Sequence, residues 1–187
     1  MTWREAAMAQ LTIKTHPSEV LNKVAAPVET FDDALKTLAA DMFETMYANS
    51  GIGLAAPQVG RSIRLFVLDL AAGTDEQGSR QLVLVNPEII ERRGDIVWEE
   101  GCLSLPGILG KVKRSNQVKV SASDLDGNPI EVEGEELVAV ALQHEIDHLD
   151  GILFVQRVSP LQRKFLIREY TRKQNEERYG SPDGPTV

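Results

Sequence analysis

The chain has a single cysteine, so no internal disulfide can form, which suits a reducing cytosol. It has no apolar run long enough to cross a bilayer, and no membrane association is expected. Positive charge is in deficit: a net charge of −8 argues against general nucleic-acid binding, direct DNA binding included. The opening MTWREAAMAQ lacks the apolar core of a secretion signal and the Arg/Ser richness of a transit peptide. Cytoplasmic residence is therefore expected, with a processed organellar form left open. Histidine is scarce too, at three residues, and two of them stand in one motif.

A length of 187 residues fits one domain, and the charged fraction of 26% is that of a soluble protein. The charge is uneven. Residues 157–178 hold seven Lys or Arg against three Asp or Glu, a local excess of four positive charges. Thr30-Phe31-Asp32-Asp33 reads as a capping box opening an amphipathic helix over 31–48. Ile63–Leu70, Leu82–Val85 and Gln117–Ser123 read as strands, and Asp126–Pro129 as the turn into a strand over 130–133. Glu135–Leu149 is apolar nearly all round, the mark of a helix running through the core, and Gly151 can cap it. Ser159-Pro160 opens a last helix, with Leu161, Phe165 and Leu166 expected to dock its first half. The fold class is α+β: antiparallel β-sheets around a central buried helix, with an N-terminal and a C-terminal helix. Residues 1–10 are expected to be a flexible extension, with Met8 a candidate later start. A single catalytic domain spans 11–178, including a helix over about 160–178, and 179–187 form a disordered tail.

The central helix carries His144-Glu145-Ile146-Asp147-His148, an H-E-x-x-H motif. Histidines at i and i+4 project from one helix face and reach one cation, while Glu145, one position round, can handle a water on it. A buried apolar helix is a costly place for such polar groups unless they have partners. Extended forms of the motif supply a third ligand as H-E-x-x-H-x-x-G-x-x-H, but the final position here is Phe154. Asp147, Asp150 and Glu169 are candidates for the missing ligand. Cys102 in EEGCLSLPG is preferred, since Gly101 frees the backbone before it and Pro106-Gly107 is expected to turn the chain after it. A His₂Cys site keeps a fourth position open, as a catalytic metal needs. The third histidine, His16, is expected at the surface. In GIGLAAPQVG, Gly51-x-Gly53-x-x-Ala56 mimics a dinucleotide fingerprint, but a helix precedes it and Pro57 and Gly60 follow, so it is rejected. Its glycines suit close backbone approach to a bound chain, and Gln58 is the polar side chain of an otherwise apolar loop.

Together GIGLAAPQVG, EEGCLSLPG and QHEIDHLDG resemble the three signature motifs of the peptide deformylases, in the family's order and at similar spacing, within a likeness running from about Leu11 to Gln156. The resemblance implies Cys102, His144 and His148 as metal ligands and Glu145 as acid/base. It also implies Gln58 and the main-chain N–H of Leu103 as the oxyanion site, and Ile52, Gly53 and Glu100 along the bound peptide. The implied reaction removes the formyl group from the formyl-methionine of new polypeptides and releases formate. The implied cofactor is one Fe²⁺, with Zn²⁺, Ni²⁺ or Co²⁺ as substitutes. The basic last helix resembles one that docks near the ribosomal exit. Gly107-Ile108-Leu109 stands where some relatives carry charged residues able to hold the peptide backbone, so no such contact is expected here. The rival reading is an H-E-x-x-H metallopeptidase with Glu169 or another carboxylate as third ligand. A structural metal site would need a fourth ligand that the sequence does not offer.

Overall fold

The computed structural model describes residues 9–179. The extension expected over 1–10 lies outside these residues except for Ala9 and Gln10. The tail expected over 179–187 lies outside them except for Tyr179, which ends a helix.

Helix α1 spans Asp33–Ala48; Asp32 is its N-cap, accepting from the Leu35 N–H at 2.9 Å, so the helix starts two residues later than the sequence pattern suggested. Strands β1 (Gly53–Ala55), β2 (Leu65–Asp69), β3 (Gln81–Arg93), β6 (Gln117–Ser123) and β7 (Pro129–Glu135) form an antiparallel sheet in the order β1-β2-β3-β6-β7. Strands β4 (Ile96–Cys102) and β5 (Leu105–Arg114) form a separate hairpin. Helix α2 (Leu137–Leu149) runs through the core and α3 (Pro160–Tyr179) closes the described chain. Among the described residues no helix is long and apolar enough to cross a membrane.

The sheet is covered on both faces. Phe66 and Leu68 of β2 pack with Ala139, Leu142, Ile146 and Leu149 of α2, while Leu65 and Val67 pack with Leu35, Ala39, Met42 and Met46 of α1. That explains why β2 reads as an unbroken apolar run rather than an alternating one. The hairpin instead packs Leu105, Ile108 and Val112 against Leu153, Phe154 and Tyr170. Gly151, at φ +71°, ends α2, and a Cβ there would lie 2.8 Å from the Asn22 carbonyl carbon, so only glycine fits.

Three expectations need correction. The chain turns at Leu103-Ser104, not at Pro106-Gly107. Cys102 pairs with Leu105 and Gly101 with Leu109, so Pro106, Gly107 and Ile108 bulge out of the ladder where proline's missing N–H costs nothing. The docking side of α3 is Leu166, Ile167 and Tyr170, whereas Leu161 and Phe165 are 65% and 61% exposed. His16 is half-buried, its carbonyl accepting from the Tyr170 hydroxyl at 2.9 Å and its N–H donating to Ser104 at 2.9 Å.

The hairpin is locked to α2 by charge. Arg114 on β5 grips Glu100 on β4 through Nε–Oε1 (2.7 Å) and Nη2–Oε2 (2.9 Å), and its Nη1 reaches Asp147 on α2. All three side chains are under a tenth exposed. Asp147 is also gripped by Arg157. Burial opposes ionisation of Glu100, but the hydrogen bonds from Arg114 and His144 outweigh it and hold the carboxyl below its ordinary 4.5. Its contribution to stability is therefore complete above about pH 4.5 and is lost as pH falls through the lowered value. Arg114→Met is expected to leave Glu100 and Asp147 buried with only His144 and Arg157 beside them, and to cost about 3–5 kcal/mol. In thermal unfolding this reads as a fall in Tm of roughly 6–20 °C, with a shallower loss of stability below pH 4.5 than in the parent; an unchanged Tm would refute the lock.

Candidate metal centre and cleft

Two side chains of α2 and one of β4 meet. His144 and His148, one turn apart, have ring centroids 5.0 Å apart. Cys102 ends β4 with its Sγ 3.2 Å from His148 Nε2, and one ligand atom from each of the three residues lies within 4.8 Å of the others. Tetrahedral metal bonds of about 2.0–2.3 Å put ligand atoms ~3.3–3.7 Å apart, so the group is already near the size a divalent ion requires. One sulfur and two imidazole nitrogens are a donor set for first-row metals.

The electrostatics favour a cation there. Burial works against a charged His144, yet Cys102, Glu100 and Glu145 outweigh it and hold the ring's pKa well above its ordinary value. Burial, then the positive neighbours His144 and Arg114, push His148 well below its own, leaving the neutral ring that a metal binds. His144 Nδ1 lies 2.8 Å from Glu100 Oε2. A carboxylate accepts, so Nδ1 carries a hydrogen, and Nε2 is left as the atom that a metal would take in exchange for its proton.

Around this centre each sequence-derived residue has a definite place. Glu145 is buried; burial first, with Glu100 adding and His144 and Arg114 opposing, pushes its pKa up to about 7. Its Oε2 has no protein partner, and a Cβ on Gly53 would meet its Oε1 at 2.4 Å. Any larger residue at 53 would displace the carboxylate. Gln58 sits in the 3₁₀ turn Ala56–Val59. Its Oε1 accepts from the Ala55 N–H at 2.8 Å, which turns Nε2 towards Ser104 Oγ (3.2 Å) and Cys102 Sγ (3.5 Å). Leu103, Ile52 and Gly53 line a cleft of about 640 Å³ that also touches Cys102, His144 and Glu145. Glu100 lies along that cleft too, but its carboxylate turns inward to Arg114 and His144.

The carboxylates weighed as third ligand go elsewhere. Asp147 joins Arg114 and Arg157, Asp150 pairs with Arg64 at 2.8 Å, and Glu169 pairs with Lys173 on α3 at 3.2 Å. Sequence reasoning missed Arg114, Ser104 and the cleft-lining Trp98. Arg114 carries no local signal because its partners lie 14 and 33 residues away.

Comparison with known proteins agrees with this geometry. The sequence matches the polypeptide deformylase family over residues 10–164. It is 51% identical to a peptide deformylase of Chromobacterium violaceum, covering 84% of this chain and 92% of the other. It is 48% identical to one of Syntrophobacter fumaroxidans, covering 90% and 98%. The crystal structure of a peptide deformylase from Legionella pneumophila superposes with a TM-score of 0.85 at 47% identity, covering 91% of this chain and 99% of that one. A peptide deformylase from Synechococcus elongatus in complex with actinonin gives 0.82 at 40%, covering 88% and 90%. The match spans most of the chain, and the Cys/His/His group sits in the same polypeptide as the three motifs: the chain belongs to the polypeptide deformylase family.

Proposed function

We propose that Glu145, Gln58 and the main-chain N–H of Leu103 carry out deformylation on the N-terminus of a formyl-methionyl polypeptide laid in the cleft. The activity itself, hydrolysis of the formyl amide to formate and a free amine, follows from family membership, which displaces the metallopeptidase reading. The observation that carries the assignment is Glu145: a buried carboxylate with an unpartnered oxygen, bordering the cleft beside the Cys/His/His group.

Cys102, His144 and His148 would hold the ion; when bound, a divalent metal supplies a Lewis acid beside the formyl group and lowers the pKa of water towards about 7. Glu145 takes a proton from the attacking water and delivers it to the departing nitrogen, a double duty suited to a carboxyl raised to about 7. Negative charge growing on the formyl oxygen is met by Gln58 Nε2–H and the Leu103 N–H. Gln58 is held for this by the Ala55 N–H, so its donor is oriented before substrate arrives. Gly53 and Ile52 on one wall and Glu100 on the other run along the peptide. The Cys102 thiolate leaves a formal +1 on the site and so accommodates Fe²⁺, which the family resemblance favours, with Zn²⁺, Ni²⁺ or Co²⁺ as substitutes. The proposed substrate, a chain leaving the ribosome, fits an enzyme of the cytoplasm or of an organelle with its own ribosomes. The exposed Arg163, Lys164, Arg168 and Arg172 of α3 support docking there.

Glu145→Gln keeps the shape of the side chain but not the base. It is expected to retain metal on elemental analysis while kcat falls by about 10²–10⁴; undiminished turnover would remove Glu145 from the mechanism. Gln58→Leu is expected to lower kcat by roughly 10²–10³, whereas a change confined to KM would make Gln58 a peptide contact. The double variant Lys164→Glu/Arg168→Glu is expected to lose co-sedimentation with ribosomes while its formate release on short peptides stays as in the parent. Retained co-sedimentation would count against docking through α3.

A further inference from the structure

The turn that joins β4 to β5 is Leu103 and Ser104 alone, and Ser104 ties it down at three points. The Ser104 N–H donates to Cys102 Sγ at 3.4 Å, its carbonyl accepts from the His16 N–H at 2.9 Å, and its Oγ accepts from Gln58 Nε2 at 3.2 Å. The first two ties are main-chain groups that every residue but proline carries. The third belongs to the side chain. Ser104 is fully buried, and an alanine would fill nearly the same space, so packing does not call for the hydroxyl. Its partner is buried as well, Gln58 being 2% exposed.

We infer that Ser104 is a positioning residue for deformylation, its hydroxyl taking one hydrogen of the Gln58 amide and thereby aiming the other at the formyl oxygen. This rests on the reading of Gln58 as a donor to that oxygen. A glutamine amide offers one acceptor and two hydrogens. Oε1 is anchored by the Ala55 N–H at 2.8 Å, but the terminal torsion of a glutamine is broad, and one anchor leaves the plane of the amide free to rock. The Ser104 hydroxyl is the second anchor. With both in place one Nε2 hydrogen is spent, and the other is left on the side of Cys102 Sγ, 3.5 Å away, where Gln58 and Cys102 both border the cleft. Ser104 is not among the residues lining that cleft, so its hydroxyl acts through Gln58. A donor aimed in advance stabilises developing charge without having to reorganise when the charge appears.

The test is a double-variant cycle on the metal-loaded full chain, read as kcat and KM for formate release from formyl-Met-Ala-Ser, with bound metal measured by elemental analysis. Ser104→Ala is expected to lower kcat about three- to tenfold, the worth of one hydrogen bond, with KM and metal content as in the parent. Added to Gln58→Leu, the same substitution is expected to change kcat by less than about twofold, because no amide is left to hold. Three results overturn the inference while Gln58→Leu still lowers kcat and the reading of Gln58 stands. They are a parental kcat in Ser104→Ala, an equal fall in the Gln58→Leu background, which would mark a general loosening of the turn, and a loss of metal, which would put the effect on Cys102. An undiminished kcat in Gln58→Leu overturns both.

Discussion

The guanidinium of Arg114, buried between Glu100 and Asp147, is the constraint on which the rest depends. Cys102 and His144 are far apart in sequence, and nothing local brings them together. They meet because the hairpin that ends in Cys102 is fixed to α2 by a cation with one carboxylate on each side. The lock is expensive to build, since three charges leave water together. It is satisfied because Glu100 also accepts from His144 and Asp147 is also gripped by Arg157. The same carboxylate therefore holds the hairpin and fixes the tautomer of a ligand. Stability and site chemistry share one atom, Glu100 Oε2.

A second constraint is space. Glu145 is kept high in pKa by burial, and it stays buried because β1 passes close enough that residue 53 must be glycine. The next turn of that segment supplies Gln58, pinned by the N–H of Ala55. One short stretch thus covers the Glu145 carboxylate and aims a donor at the sulfur's neighbourhood, while the opposite wall supplies the sulfur itself. Its preorganisation comes from main-chain contacts, which carry little of the rotamer freedom a long side chain must lose on ordering.

Local order was what the sequence revealed well. The i, i+4 histidines, the apolar circumference of α2, the alternation of β6 and the turn before β7 depend on neighbours in the chain; the first three stand where the pattern puts them, and the turn ends one residue earlier, with Pro129 already paired in β7. The convergence of Cys102 on the histidines was favoured by its setting and by resemblance. What escaped depends on distant partners. The β4–β5 hairpin was unread because Pro106-Gly107, which form a bulge, have the composition of a turn. Asp147 was weighed as a ligand because it shares the motif, yet its side chain points to the flank where Arg114 waits. His16 is half-buried with its ring 5.9 Å from that of Tyr170, 154 residues later.

The absent third histidine of the extended motif is answered by what replaces it. Gly151 ends α2 in the left-handed conformation, and the chain returns to lay Phe154 against His144, with ring centroids 6.4 Å apart and planes 24° from parallel. The residue that might have been a ligand is instead a buried wall behind one, so the third donor must come from another element. Because that element is β4, which also lines the cleft through Trp98, Glu100 and Gly101, the strand that completes the Cys/His/His group is a strand that borders the cleft. A ligand delivered by the helix's own continuation would have left metal binding and peptide positioning independent. Delivered by the cleft wall, the two are one geometric problem, and any shift of the hairpin moves both the sulfur and the wall of the cleft.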